Sequence, residues 1–236
     1  MAKTWQQQLE AFAVSLESSL GEKLVSLQLY GSAARDARAG GDVNVLLIVR
    51  DATAEGLAPA ADAIGAWVRQ GHVPPIIMDH DEWLGSTDVF PIEVEDMREA
   101  HRVIRGADPF TGVTTARADL RAELEREARS KLLHLRTGYA AAARNGKQLE
   151  HLLERSSGAI LTLMRAALRL AGGPVPAGAR EQVAAAAALV GFEPAAFDWV
   201  LDRRAGATVP RLSAFDVRAH RYLDAVQKLA AWANTQ

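Results

Sequence analysis

The chain has 236 residues, 49% hydrophobic and 24% charged, with a formal net charge of −2 and no cysteine. That length supports one large domain or two modest ones. The charge gives no global attraction to nucleic acid or anionic membrane, and the missing thiols exclude disulfides, thiolate-bound zinc and cysteine nucleophiles. The first twenty residues lack a continuous apolar stretch, and the runs VNVLLIV and VAAAAALV are too short to cross a bilayer. A cytoplasmic protein with no membrane partner is expected.

Apolar positions Trp5, Leu9, Phe12, Leu16 and Leu20 predict a helix from Thr4 to Leu20, stopped by Gly21. Two strands follow, Leu24–Tyr30 and Val43–Val49. The first alternates, with Leu24, Ser26 and Gln28 forming a more polar face; the second is apolar after Asn44, as in a strand covered on both sides. Ala54 to Gln70 reads as one helix. A short strand at Pro75–Met78, a polar loop, and a strand at Phe90–Val94 come next, Pro91 placing the last at a sheet edge or marking its first residue. The adjacent acids and imidazole of Asp79-His80-Asp81 read as a polar turn rather than a metal site.

Asp108-Pro109 marks a boundary, and from Ala118 the chain turns rich in Ala, Leu and Arg with helical spacing. One stripe runs through Leu120, Leu124, Ala128, Leu132, Leu135 and Tyr139. Another takes Leu149, Leu153, Ile160 and Met164 and ends at Gly172-Gly173-Pro174. Helices at Arg180–Val190, Pro194–Arg203 and Ser213–Ala233 complete a bundle, the last burying Phe215, Tyr222 and Val226.

The chemistry sits in LYGSAARDARAGGDVNVLLIV, residues 29–49. Gly31-Ser32 offers a turn whose backbone N–H groups and hydroxyl approach a phosphate without an intervening side chain. Positions 42 and 44 are two residues apart at the start of the second strand, so Asp42 and Asn44 share one face. In order and type these elements resemble the nucleotidyltransferase superfamily, which includes DNA polymerase β, aminoglycoside nucleotidyltransferases and minimal nucleotidyltransferases. Its pattern is apolar-Gly-Ser, a spacer, then Asp-apolar-Asp/Glu-apolar. Asn44 stands where the second carboxylate belongs.

The resemblance implies an α/β (α+β) nucleotidyltransferase-like mixed sheet flanked by helices over residues 1–112, and an all-α helical bundle over 117–236. It implies nucleotide binding at Gly31 and Ser32, metal binding by Asp42, Asn44 and Glu93, and catalysis by Asp42 and Glu93, with Asp96 a structural acid. Mg2+ or Mn2+ is the expected cofactor, held weakly. A nucleoside triphosphate is the expected partner, with an acceptor that is a small molecule, a protein or a nucleic acid, and a homodimer is compatible with it. The stretch DVFPIEVEDMREAHRVIRGADPF also resembles bacterial nucleotidyltransferase-domain proteins with a helical tail. Arg35 and Arg38 are phosphate-contact candidates, with exposed helix arginines the equal alternative.

Asn is isosteric with Asp but brings no charge, and its amide nitrogen cannot coordinate a cation. Two outcomes are open: altered nucleotidyl transfer, or a catalytically inactive binding or scaffold protein. A weaker alternative lies in the helical half, where Arg129 to His134 and Arg144 to His151 fit the loose Arg-to-His spacing of HEPN ribonucleases, a match that an Arg-rich chain yields by chance. Accordingly, purified protein is expected to leave a fluorescent RNA intact in EDTA. Metal-independent cleavage that disappears in His134→Ala or His151→Ala would reverse that ranking.

Overall fold

A computed structural model describes residues 4–35 and 43–236, which divide into two compact units, 1–115 and 116–236. In the first, α1 (Trp5–Leu20), β1 (Leu24–Tyr30), α2 (Ser32–Arg35), β2 (Asn44–Val49), α3 (Ala54–Leu57) and α4 (Ala61–Arg69) are followed by β3 (Ile76–Asp79), α5 (His80–Gly85), α6 (Pro91–Glu99) and β4 (His101–Gly106). The sheet order is β3-β2-β1-β4. β1 runs antiparallel to β2 and β4, and β2 runs parallel to β3.

Both sheet faces are covered. On one, Leu27, Leu29, Val45, Leu47 and Val49 pack against Leu9, Phe12 and Leu16 of α1 and Trp67 of α4. The Trp67 ring stacks on Phe12 at 4.9 Å and on His72 at 3.8 Å. On the other, Leu46 and Ile48 meet Trp83 of α5, Val94 and Met97 of α6, and Phe110. Each such fully buried side chain contributes roughly 1.5–3 kcal/mol. Trp83 anchors the segment after β4 by donating its indole N–H to the carbonyl of Pro109 at 2.8 Å. The polar side of β1 is not solvent-facing: Ser26 and Gln28 are buried, with Ser26 Oγ and Gln28 Nε2 donating to the carbonyl of Ala107. Gln28 Oε1 is left without a partner.

Three local expectations are corrected. Residues 90–94 are not a strand: Pro91 opens α6, where its missing N–H costs nothing because first-turn donors have no intrahelical acceptor. The fourth strand is His101–Gly106, a half-exposed edge whose polar composition hides any apolar run. The polar loop after β3 contains α5, started by a reciprocal cap in which the Asp79 carboxylate accepts from Glu82 N and Glu82 accepts from Asp79 N. The helix expected over 54–70 breaks into α3, a 3-10 turn containing Pro59, and α4.

The second unit comprises α7 (Arg117–Ala142), α8 (Gly146–Leu170), α9 (Ala179–Val190), α10 (Asp198–Arg204) and α11 (Val217–Asn234). Leu124, Leu149, Met164, Phe197, Tyr222 and Leu229 are among its fully buried side chains. Burial, the larger cause, raises the Tyr222 phenol far above its ordinary value, although it bonds Ser156. A polar seam fastens α11 to α7: Arg129 with Asn234, Arg136 with Gln227, and Tyr139 with His220. Arg129 also pairs with Glu125 at 2.9 Å. The last helix starts at Val217, not at 213. Asp216 caps it, and Phe215, expected in the core, is 54% exposed with φ 53°. No helix among the described residues is long and apolar enough to cross a membrane.

Two measurements check this packing. A Cβ on Gly106 would sit 2.0 Å from the carbonyl oxygen of Val25, at φ +74°, so Gly106→Ala is expected to cost at least about 3 kcal/mol by urea denaturation. Asp216 is held well below the usual carboxylate range, chiefly by its hydrogen bonds with Arg218. The ionised carboxylate therefore stabilises the fold above its unfolded value near ~3.9, and that contribution fades as pH falls below it. Asp216→Asn should lower stability by about 1–2 kcal/mol at pH 7 and flatten the loss on acidification; an unchanged acid limb refutes this role.

Candidate functional site at the end of the sheet

The C-terminal end of β1 gathers three strands. Tyr30 is the register partner of Asn44 on β2 and of His101 on β4, so opposed side chains there share a face. Gly31 then turns the chain at φ +81°, its N–H donating to the carbonyl of Ala100 at 2.8 Å. A side chain at this position would meet the Asn44 amide: a built Cβ lies 3.4 Å from Asn44 Nδ2. Glycine is therefore favoured here by the backbone angle, while the space beside Asn44 would admit a Cβ in ordinary contact.

Ser32 is the exposed first residue of α2. The carbonyl of Gly31 accepts from the N–H groups of Ala34 and Arg35, at 3.1 and 3.2 Å. With only four residues, α2 contributes first-turn N–H groups rather than a sizeable macrodipole. Arg35 makes an ion pair with Glu99 of α6 at 3.5 Å, tying the turn to that helix. Asn44 begins β2 and is half-buried. Asp42 and Arg38 lie outside the described residues.

Glu93 reaches this region from a helix rather than a strand. It is the exposed third residue of α6, whose Val94 and Met97 pack on the sheet face carrying Leu46 and Ile48. Its charge is felt at Tyr30: burial, and after it the Glu93 carboxylate, raise the phenol above its ordinary value. Tyr30 is thus a neutral hydroxyl beside the carboxylate at neutral pH. Glu95 of the same helix is taken up by Thr115 and Arg98.

Two site neighbours carry no motif in the sequence. One is Tyr30, which reads there only as the apolar residue before Gly-Ser. The other is His101, whose Nδ1 meets the carbonyl of Arg98 at 2.9 Å and whose Nε2 meets Asp108 at 3.3 Å, with Phe110 against the ring. β4 itself carries no acid. Among the described residues no three of His, Cys, Asp or Glu are grouped to hold a metal ion. The residues of the helical alternative are engaged elsewhere: Arg129 as above, and Arg144 over the Phe215 ring at 5.9 Å.

No protein-family model and no curated protein sequence matches the chain. Among solved structures it is similar to spectinomycin adenyltransferase AAD(9) from Enterococcus faecialis, determined with ATP and spectinomycin. The TM-score is 0.62 at 12% identity, covering 98% of this chain and 100% of that one. At that identity the likeness establishes architecture. A mixed four-stranded sheet with flanking helices, followed by a helical C-terminal region, is the fold that this chain shares with that adenyltransferase.

Proposed function

We propose that the protein binds a nucleoside triphosphate at the Gly31-Ser32 turn and transfers its nucleotidyl group to an acceptor, with an altered metal site. The observation that carries this reading is the register of Tyr30 with Asn44, with Glu93 close enough to shift the Tyr30 phenol. On this reading the glycine turn, the Asn44 amide oxygen and the Glu93 carboxylate serve one sheet end together. The adenyltransferase of similar fold was determined with ATP and an antibiotic, which supports a nucleotide and a small-molecule acceptor here.

Asp42, Asn44 and Glu93 would supply hard oxygen donors, a chemistry suited to Mg2+ or Mn2+. Two carboxylates and one neutral amide suit a single, weakly held cation better than a pair. Held by these residues, such a cation would supply charge neutralisation for the phosphates. The side chains do the remaining work. Gly31 leaves its backbone open to the phosphates, Ser32 offers a hydroxyl, and Tyr30 stays protonated beside Glu93. A second reading, a nucleotide-binding protein without turnover, rests on Asn44 alone, since one fewer anion weakens charge neutralisation where it matters most.

Calorimetry of the four nucleoside triphosphates with Mg2+ or Mn2+, paired with a pyrophosphate-release assay over an aminoglycoside and aminocyclitol panel, separates the readings. Pyrophosphate release identifies the transferase, and saturable heat without release identifies the binding protein. No binding by any nucleotide at millimolar concentration discards both.

The metal arm is tested by Asn44→Asp. Restoring a carboxylate should tighten Mn2+ at least about 10-fold, or ~1.4 kcal/mol. In EDTA the added charge should instead lower stability by about 1 kcal/mol, because unneutralised carboxylates repel one another. The variant therefore melts below wild type in EDTA and gains more from Mn2+. Unchanged Mn2+ affinity removes Asn44 from the site.

A further inference from the structure

We propose that the β3 edge of the first unit is a docking site for an extended basic segment of a partner protein, with an apolar side chain seated in the cavity beside it. This surface stands apart from the Gly31–Asn44 end, and three observations converge on it.

The first is the strand itself. β3 ends the sheet, paired only through β2, so its outer backbone groups offer a template for an added strand. Edge strands of soluble proteins are usually blunted by charge. Here Ile76, Ile77 and Met78 supply the strand before Asp79 ends it, and blunting comes from that terminal charge, the four-residue length and the preceding Pro74-Pro75.

The second is the cavity. A depression of about 410 Å³ opens beside this strand, walled by Ile77, Met78, Val89 and Phe90 with Glu82 and Ser86. Val89 is 50% exposed and Phe90 44%, and Leu84 of α5 adds a further 49%-exposed apolar side chain nearby in sequence. Grouped exposed apolar side chains of this kind mark interaction sites, whereas single ones do not. The volume suits one or two large apolar side chains.

Charge identifies the occupant. From Gln70 to Met97 the chain contains no Lys and no Arg, while Asp79, Asp81, Glu82 and Asp88 surround the cavity segment. Asp79 and Glu82 spend part of their capacity capping α5, and Asp81 and Asp88 are exposed. A protein whose net charge is only −2 has thus concentrated acid around an apolar depression on a sheet edge. The complementary ligand alternates apolar with Lys or Arg residues in extended form. Its backbone pairs with β3, its apolar side chains enter the cavity, and its cations meet the rim.

The full-length protein is titrated by fluorescence anisotropy with a fluorescein-labelled heptapeptide of alternating lysine and valine. Matched glutamate–valine and lysine–serine heptapeptides serve as controls. The lysine–valine peptide should bind saturably, at least tenfold more tightly than either control. The paired substitutions Val89→Ser with Phe90→Ser, and Asp81→Lys with Asp88→Lys, should each weaken it tenfold or more; all four positions are exposed, and circular dichroism checks that the fold persists. Hydrogen exchange should slow at residues 76–79 in the complex. Equal binding of the lysine–serine peptide, or unchanged exchange at 76–79, overturns the proposal. Occupancy by benzyltriethylammonium without peptide binding would reassign the cavity to small cations. Self-association in sedimentation that is lost in the Val89→Ser, Phe90→Ser variant would reassign it to a second copy of the chain.

Discussion

The antiparallel pairing of β1 with β2 is the constraint on which the first unit depends. Leu27 and Leu29 face Leu47 and Val45 with no measurable or almost no exposure, so the two strands are buried on both sides and their alignment is fixed. Slipping the pair by one residue would turn Leu46 and Ile48 toward α1 and α4, and send Leu47 and Val49 to the face that holds Trp83. The same alignment brings Gly31 against Asn44. The hydrophobic core therefore sets where the turn leaves the sheet.

Layers of α-helix on either side serve this pairing differently. α1 joins the sheet through apolar contact and through Arg105 of β4, which pairs with Glu10 and, at 2.8 Å, with Glu17. The opposite layer is more polar, since Ser26 and Gln28 lie beneath it: Gln28 Nε2 donates to Ser26 Oγ at 2.6 Å, and Ser26 Oγ donates to the carbonyl of Ala107 at 2.7 Å. A buried polar relay of that kind contributes less net stability than apolar packing but admits fewer alternative arrangements, because shifting the chain at 107 leaves the Ser26 hydroxyl without its acceptor. It fixes where the segment after β4 must run, and with it Phe110 under His101.

What the sequence disclosed follows from where apolar spacing is unambiguous. α1, β1, β2 and the long helices of the second unit have several apolar residues at one period, and they were readable. α6 was not, because Pro-Ile-Glu-Val-Glu alternates over five residues as a strand does, and its helical continuation, Asp-Met-Arg-Glu, has low hydrophobicity. β4 was missed for the converse reason: an edge strand with His, two Arg and Gly shows no periodic apolar face. Gly31, Ser32 and Asn44 were legible as a motif. Tyr30 and His101 were not, since only strand pairing across distant segments places them side by side. Phe215 was misread because aromatic character suggests burial, whereas the cap at Asp216 starts the helix one residue beyond it.

Each sheet face encloses one fully buried tryptophan, and the two rings sit in unlike company. Trp67 lies between Phe12 and the imidazole of His72, while Trp83 meets Phe110 edge-on and donates its N–H to a carbonyl. Burial lowers the proton affinity of His72, so the ring against Trp67 stays neutral to a more acidic pH than a free imidazole. Once protonated it becomes an efficient acceptor of the excited indole's electron, and Trp83 has no such neighbour. Of the chain's five tryptophans these two are thus optical probes of opposite character, one for each side of the sheet. With Trp5, Trp199 and Trp232 replaced by phenylalanine, acid-dependent dimming would report Trp67 and the α1–α4 side, and loosening of the α5–α6 side would leave its trace in the emission that remains.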